Sequence, residues 1–267
     1  ITPTDKLISA EIDKITSLKS QPRGTSWNNL NDDVFNNYVD RTAKIGKTPG
    51  KLKIVYTAMH GVGLETVEAV FKKAGFNAPI LVEEQVKPDP DFPTVAFPNP
   101  EEPGAIDLSL AKAKAVGADL VIANDPDADR CAAAINDPKH GWRMLKGDEL
   151  GVLLGDWIAR TNDGNYGNSI VSSSALSKVC KHYGRNFRET LTGFKYLAQI
   201  PNLAFAYEEA IGYSVDAATV SDKDGVSAAM ALAQLAEELA ANGQSIYDRL
   251  QEIWQTIGFH ATEQISI

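Results

Sequence analysis

The sequence predicts an α/β protein built as two consecutive three-layer α/β domains with mainly parallel mixed sheets. Short β-branched runs alternate with amphipathic stretches, and the alternation restarts half-way along the chain. Composition agrees: 43% hydrophobic and 23% charged residues in a chain of 267 describe a globular protein long enough for two cores.

Apolar spacing predicts helices over residues 9–18 and 34–45. Pro49 and Gly50 then break the chain, and "LKIVYT" (52–57) reads as a central strand. The turn "HGVG" (60–63) leads into a helix that closes near Gly75, and "PILVEE" (79–84) is a second strand. Residues 87–104 carry six prolines and read as an irregular surface loop. A helix over 106–116 is stopped by Gly117, "DLVIAN" (119–124) is the third strand, and "CAAAI" (131–135) returns as a fourth. In the second half the pattern predicts a helix at 147–159, a strand at 168–174 and a helix at 175–183. A strand at 186–190, a short helix at 194–200 and a strand at 203–209 follow, and helices at 224–241 and 245–257 complete the series. The polar stretch 136–146 marks the boundary. The expected division is a linker over 1–30, domains over 31–139 and 140–256, and a further linker from 257 to 267. The halves repeat in pattern, not in residues.

The formal net charge of −9 argues against nucleic-acid binding. No apolar run approaches bilayer length and no signal peptide is apparent, so no membrane partner is expected. Two cysteines, Cys131 and Cys180, make no disulfide framework, and a cytoplasmic setting is expected. The chain opens at Ile1 and stops in "HATEQISI", an alternating strand-like pattern, so it is expected to be a piece of a longer protein.

The sharpest chemical signal is "VIANDPDADR" (121–130). It delivers Asp125, Asp127 and Asp129 to one point, and each pair about 4 Å apart repels by roughly 4 kcal/mol at an effective dielectric near 20. Side chains two residues apart in an extended segment point the same way, and Pro126 stiffens the turn. An oxygen-only set suits a hard cation, Mg²⁺ before Mn²⁺ or Ca²⁺. An EF-hand is excluded, because Arg130 stands where its glycine is required and Asn136 where its glutamate is required. The D-x-D-x-[T/V] pattern of aspartate-nucleophile phosphatases is broken by Asp129 in its fifth position. A bland acidic turn, neutralised by Arg130 and solvent, is the remaining alternative. His60, His140, His182 and His260 show no metal spacing, and "SSS" (172–174) lacks the context of a nucleophile elbow and is assigned to a strand. Glu208 and Glu209 end a strand before a glycine turn, so the two polar loops face one cleft if the strand ends pack together.

"DPDADR" is similar to the metal-binding loop of the α-D-phosphohexomutase superfamily, the phosphoglucomutases and phosphomannomutases. "TAMHGVG" (57–63), "LTGFKY" (191–196), "YEEAIGY" (207–213) and "DKDGVSAA" (222–229) agree with that family in its order. The resemblance implies the family's second and third domains, with the metal loop in one and a sugar-binding loop in the other. It implies a reaction in which an enzyme phosphoserine exchanges phosphoryl groups with a sugar phosphate through a bisphosphorylated sugar. On that pattern Mg²⁺ sits on Asp125, Asp127 and Asp129. Arg130 contacts phosphoryl oxygens, and Thr192, Gly193, Lys195, Glu208, Glu209 and Lys223 meet the substrate, with Glu208 reading sugar hydroxyls. Many members have serine where this chain has Ala210, so one sugar contact is missing. The phosphoserine stretch (T-A-S-H-N-like) and the distal phosphate loop (R-x-S-G-T-E-P-like) do not occur in this sequence. First and fourth domains of the same polypeptide are therefore expected partners, and the chain alone is expected to be inactive. A metal-dependent phosphohydrolase and a non-catalytic sugar- or metal-binding module are the competing classes.

Overall fold

The computed structural model describes residues 2–263, and the chain divides into a short unit, Ile1–Asn36, and a large one, Asn37–Ile267. The short unit holds α1 (Thr4–Ile12), a 3₁₀ turn at Leu18–Ser20 and the start of α2 (Asp33–Thr42). The helix expected over 9–18 thus begins earlier and stops at Ile12. The β-branched pair Ile15–Thr16 follows, and Ser17 instead caps the 3₁₀ turn through the Lys19 N–H.

In the large unit the first sheet comprises β1 (Ile54–Thr57), β2 (Ile80–Leu81), β3 (Leu120–Asn124), β4 (Cys131–Asp137) and β5 (Gly141–Met144), in the order β2-β1-β3-β4-β5. β1 pairs in parallel with β2 and β3, and β4 and β5 are added antiparallel. α3 (Gly63–Ala74) and α4 (Asp107–Val116) connect the parallel strands, each ended by a left-handed glycine, Gly75 and Gly117. After α5 (Gly147–Ala159) comes the second sheet: β6 (Asn165–Ser169), β7 (Asn186–Thr190), β8 (Leu203–Glu208) and β9 (Gly212–Ser214), ordered β7-β6-β8-β9. β6 pairs in parallel with β7 and β8, and β9 returns antiparallel to β8. α6 (Ala175–Tyr183) and α7 (Phe194–Leu197) lie between its strands, and α8 (Gly225–Ala241) and α9 (Ile246–Ile257) follow them. Both α/β halves have mixed sheets: the first divides evenly between two parallel and two antiparallel pairings, the second is mainly parallel, and the repeat seen as pattern is one of topology. In each half the first strand lies between the second and the third, and a tight loop turns the chain from the third into an antiparallel fourth.

Three differences from the sequence reading have local causes. β6 is the polar run "NYGNS", where a Cβ on Gly167 would stand 2.9 Å from the Arg188 backbone carbonyl of the neighbouring strand. The strand expected over 168–174 ends at Ser169, because Asn168 Nδ2 and the Asp148 carboxylate bond the Ser173 backbone and fold residues 170–174 into a loop. β5 lies inside the polar stretch 136–146 that marks the expected domain boundary. Its Arg143 pairs with Asp137 and Glu149, so charge on this strand is internal and paired. β9 is only three residues long and was missed. The last four residues of "HATEQISI" lie outside the described residues, and 258–263 form no strand. Among the described residues no helix is long and apolar enough to cross a membrane.

One continuous core joins the halves. α8 packs on β3 and β4 as well as β9, and α5 packs on β8 and β4. α5, α6 and α9 are pinned together at Asp156, 3% exposed, which accepts from Arg249, Arg160 and the Tyr183 hydroxyl. Replacing Asp156 takes the buried partner from Arg249, which is itself half-buried, and from the more exposed Arg160. Asp156→Ala is expected to lower unfolding free energy by about 3–5 kcal/mol, measured by urea denaturation, with near-native circular dichroism before the transition.

Candidate active site

The turn after β3 is a scaffold for carboxylates. Ala128 N–H closes on the Asp125 carbonyl at 2.9 Å, and Ala128 takes a left-handed φ of 58° that lets the chain reverse within six residues. Asn124, fully buried, fixes both ends: its Nδ2 donates to the Arg130 carbonyl at 2.7 Å and its Oδ1 accepts from Tyr56 Oη at 2.9 Å. The "HGVG" turn braces the outer side. Val62 N–H bonds the Pro126 carbonyl, and a Cβ on Gly61 would collide with Pro126 Cα at 2.2 Å. His60 serves this brace and not a metal, with Nε2 2.8 Å from Thr94 Oγ1 of the proline-rich loop.

The result gathers the predicted triad. One oxygen each of Asp125, Asp127 and Asp129 lies within 4.8 Å of the others. Asp125 is buried, Asp129 half-buried and Asp127 exposed, so the cluster opens outward. Arg130 bonds Asp125 twice, backbone N–H to Oδ1 at 3.0 Å and Nε to Oδ2 at 2.5 Å. Burial pushes the Asp125 carboxyl up, the two Arg130 bonds and its charge pull it back, and Asp127 adds to the rise. Lys223 completes the neutralisation with an ion pair to Asp129. Burial alone would lower the Lys223 ammonium, but the Asp129 bond and the charges of Asp129, Asp222 and Asp127 hold it above its ordinary range. The set fits a hard divalent cation: three clustered carboxylates, no nitrogen or sulfur donor, and an exposed member for entry.

The turn after β8 is the topological equivalent in the second sheet, and the two turns touch. Cys131 N–H donates to the Ile211 carbonyl at 3.0 Å. Glu208 and Glu209 diverge from that point. Glu208 Oε1 accepts the Gly193 N–H at 2.6 Å. Glu209 Oε2 accepts from Ser169 and Ser172 at 3.1 and 2.9 Å, and its own N–H bonds Ser172 Oγ. Glu209 also lines a cleft of about 680 Å³ with Glu101 and Lys146. Burial is the main cause that raises the Glu208 carboxyl; Gly193 N–H and Lys223 oppose it, and Glu209 and Asp222 reinforce it. Thr192 is exposed, and the Lys195 ammonium lies over the Tyr196 ring at 5.2 Å from its centroid, bonded to neither turn. Of the residues singled out by sequence, then, the structure gathers Asp125, Asp127, Asp129, Arg130, Lys223, Gly193, Glu208 and Glu209, and leaves Thr192 and Lys195 at the rim.

Sequence reasoning missed the groups beneath these turns. Ser172 was noticed only within a supposed strand, yet its hydroxyl orients Glu209. Asp148 takes the Tyr207 hydroxyl at 2.8 Å and the Ser173 N–H at 2.7 Å, tying α5 to both β8 and the serine loop. Gly147 and Gly225 are sites of close approach: a Cβ would stand 1.7 Å from the Glu209 carbonyl in the first case and 2.2 Å from the Arg130 carbonyl in the second.

The family models decide what this arrangement is. Phosphoglucomutase/phosphomannomutase alpha/beta/alpha domain II matches residues 35–141, and alpha/beta/alpha domain III matches residues 146–257. The chain belongs to the phosphoglucomutase/phosphomannomutase family. It is 44% identical, over its whole length, to 56% of a Haemophilus influenzae protein named probable phosphomannomutase. It is 42% identical, over 80% of its length, to 38% of human phosphopentomutase. A crystal structure of a Burkholderia thailandensis phosphoglucomutase/phosphomannomutase family protein superposes with a TM-score of 0.67 at 21% identity, covering 83% of this chain and 46% of that one. The chain thus spans about half or less of the length of these relatives.

Two outcomes follow from the geometry. Glu208 has its folded pKa raised above the ordinary 4.5, so its contribution to stability is fully present at low pH and is lost as pH rises through the folded value. Glu208→Gln keeps the Gly193 bond without the buried charge, so it is expected to be more stable than wild type at pH 7 and equal to it near pH 4, by urea titration at both. Gly225→Ala forces the Asp turn off the α8 N-terminus and is expected to cost about 1–3 kcal/mol in the same assay.

Proposed function

We propose that this chain is the metal-binding and sugar-reading portion of a phosphosugar mutase. The reaction interconverts hexose 1-phosphate and hexose 6-phosphate, glucose first, through an enzyme phosphoserine and a bisphosphorylated sugar. The observation that carries the reading is the contact of two equivalent turns, one acidic with an arginine and one bearing glutamates, through the Cys131–Ile211 hydrogen bond.

A Mg²⁺ ion held by Asp125, Asp127 and Asp129 supplies charge neutralisation beside a transferring phosphoryl group. The chain's own residues then divide the work. Arg130 spends its backbone N–H and Nε on Asp125, and among the described residues its two terminal nitrogens have no hydrogen-bond partner, so they are free to take phosphoryl oxygens. Glu208 has one oxygen on Gly193 and offers the other to sugar hydroxyls. Gly193 thereby acts by positioning Glu208, and Thr192 and Lys195 stand at the rim, where a mobile ammonium can meet a distal phosphate. Glu209, held by two serines, supports the same face. EEAIGY with DKDGV resembles the subgroup that includes bacterial phosphoglucomutases and animal phosphoglucomutase/phosphopentomutase enzymes, which puts glucose first without separating it from mannose or pentose. The curated relatives carry mannose and pentose names, so the alternative sugars belong to the same reading. Buried free thiols at Cys131 and Cys180 suit a reducing cytoplasm.

A phosphohydrolase with Asp125 as nucleophile is disfavoured, because both oxygens of that carboxylate are bonded by Arg130. The 267-residue chain, without a T-A-S-H-N-like stretch, is expected to give no conversion of glucose 1-phosphate to glucose 6-phosphate. A longer protein that contains it and the serine-bearing domain is expected to turn over, and Asp127→Asn in that protein to lose about a hundredfold or more in kcat. Turnover by the chain alone, or full activity in Asp127→Asn, overturns the reading.

A further inference from the structure

Lys223 occupies an unusual place: it leaves the N-terminal approach to α8, crosses one turn and pairs with the other. Its aliphatic stem lies along β9, since a Cβ on Gly212 would stand 3.0 Å from Lys223 Cδ. Its ammonium ends on Asp129, in the half of the unit built on the first sheet. We propose that Lys223 is the resident cation of the aspartate triad, and that a divalent ion entering the triad releases its ammonium toward the Glu208 turn.

The two cations on the triad are held differently. Arg130 lies within the turn itself: its backbone N–H and its Nε both bond Asp125, so its short-range pairing is fixed by the local chain. Lys223 makes one ion pair through a flexible four-carbon stem, and an ammonium is a compact, readily rehydrated charge. The backbone beneath it is fixed. Asp224 N–H bonds the Tyr213 carbonyl at 2.9 Å, the Asp224 carboxylate caps Val226 N–H, and Tyr38 Oη donates to both Asp224 oxygens at 2.9 and 2.8 Å. Motion is therefore confined to the side chain. A doubly charged ion seated among the three carboxylates repels an ammonium that shares one of them and weakens its hold. Asp222 and Glu208 are charges that already interact with Lys223, which offsets the burial of Glu208. Metal binding in one half and hydroxyl recognition in the other are thereby linked through one side chain, and the linkage is reciprocal.

This inference rests on the metal reading above, and its test separates the two. The labelled 267-residue chain is titrated with Mg²⁺ while Lys ammonium ¹⁵N signals and Asp and Glu carboxyl ¹³C signals are followed by NMR, for wild type and for Lys223→Met. The expected result has three parts. Asp125, Asp127 and Asp129 respond with one dissociation constant; the Lys223 ammonium loses its ion-paired signal in step with them; and Lys223→Met binds Mg²⁺ about tenfold more tightly, with Glu208 no longer responding to the ion. Binding seen only in Lys223→Met supports the proposal equally. An unmoved Lys223 signal in the metal-bound wild type, or unchanged affinity in Lys223→Met, overturns the proposal and leaves the metal reading standing. No carboxyl response in either protein at tens of millimolar Mg²⁺ removes both.

Discussion

Repulsion among Asp125, Asp127 and Asp129 is the constraint around which the described site is organised, because three carboxylates within 4.8 Å oppose any fold that leaves them uncancelled. The chain cancels part of the charge locally with Arg130 and part remotely with Lys223, 94 residues downstream of Asp129. The remote part demands that α8 start beside the turn. Gly225 makes that possible by admitting the Arg130 carbonyl where any side chain would collide, and its own N–H bonds the Ala128 carbonyl at 3.1 Å. Much of the packing between the two sheets can be understood as what holds α8 in that position.

The two halves meet the same topological problem with different chemistry. In each, a third parallel strand ends in a turn that feeds an antiparallel fourth, and polar groups beyond strand ends are where open α/β sheets bind ligands. The first turn is charged and opens outward. The second is anchored inward, with Glu209 on two serine hydroxyls and the Glu209 carbonyl pressed against Gly147 at the start of α5. A loop so fixed presents Glu208 with little freedom, which suits recognition of a rigid ring bearing hydroxyls.

Much of this was readable from residues alone. Strands at β1, β3, β4 and β8 are apolar and β-branched or alanine-rich, so burial on both faces announces them, and glycines at 75 and 117 mark helix ends through their positive φ. The triad was visible from its carboxylates and their spacing, although the segment is not the extended run expected: a turn with Ala128 left-handed at φ 58° gathers them. What escaped is where side chains substitute for patterned backbone. β6 is polar yet central because its Asn168 and Ser169 bond neighbouring loops, and β5 reads as a domain boundary because its arginine is paired within the fold. The Lys223–Asp129 pair could not be read at all, since nothing in local sequence says which of many lysines crosses between sheets.

Glu208 and Glu101 are both half-buried carboxylates near the two turns. Both carboxyls are raised chiefly by loss of water, and neither is relieved by a full ion pair: Glu208 feels Lys223 at a distance, and Glu101 feels Arg130 while Glu209 opposes it. A fold selected only for stability would replace such groups with amides, which keep hydrogen bonds without the charge. Retaining them leaves carboxylates in half-buried positions, where any added hydrogen-bond donor would stabilise the charge. On this view Arg130 and Lys223 are more than counter-ions to the acidic turn. Lys223 offsets part of the cost at Glu208 and Arg130 part of the cost at Glu101, and so they connect the electrostatics of the acidic turn to the neighbouring glutamates.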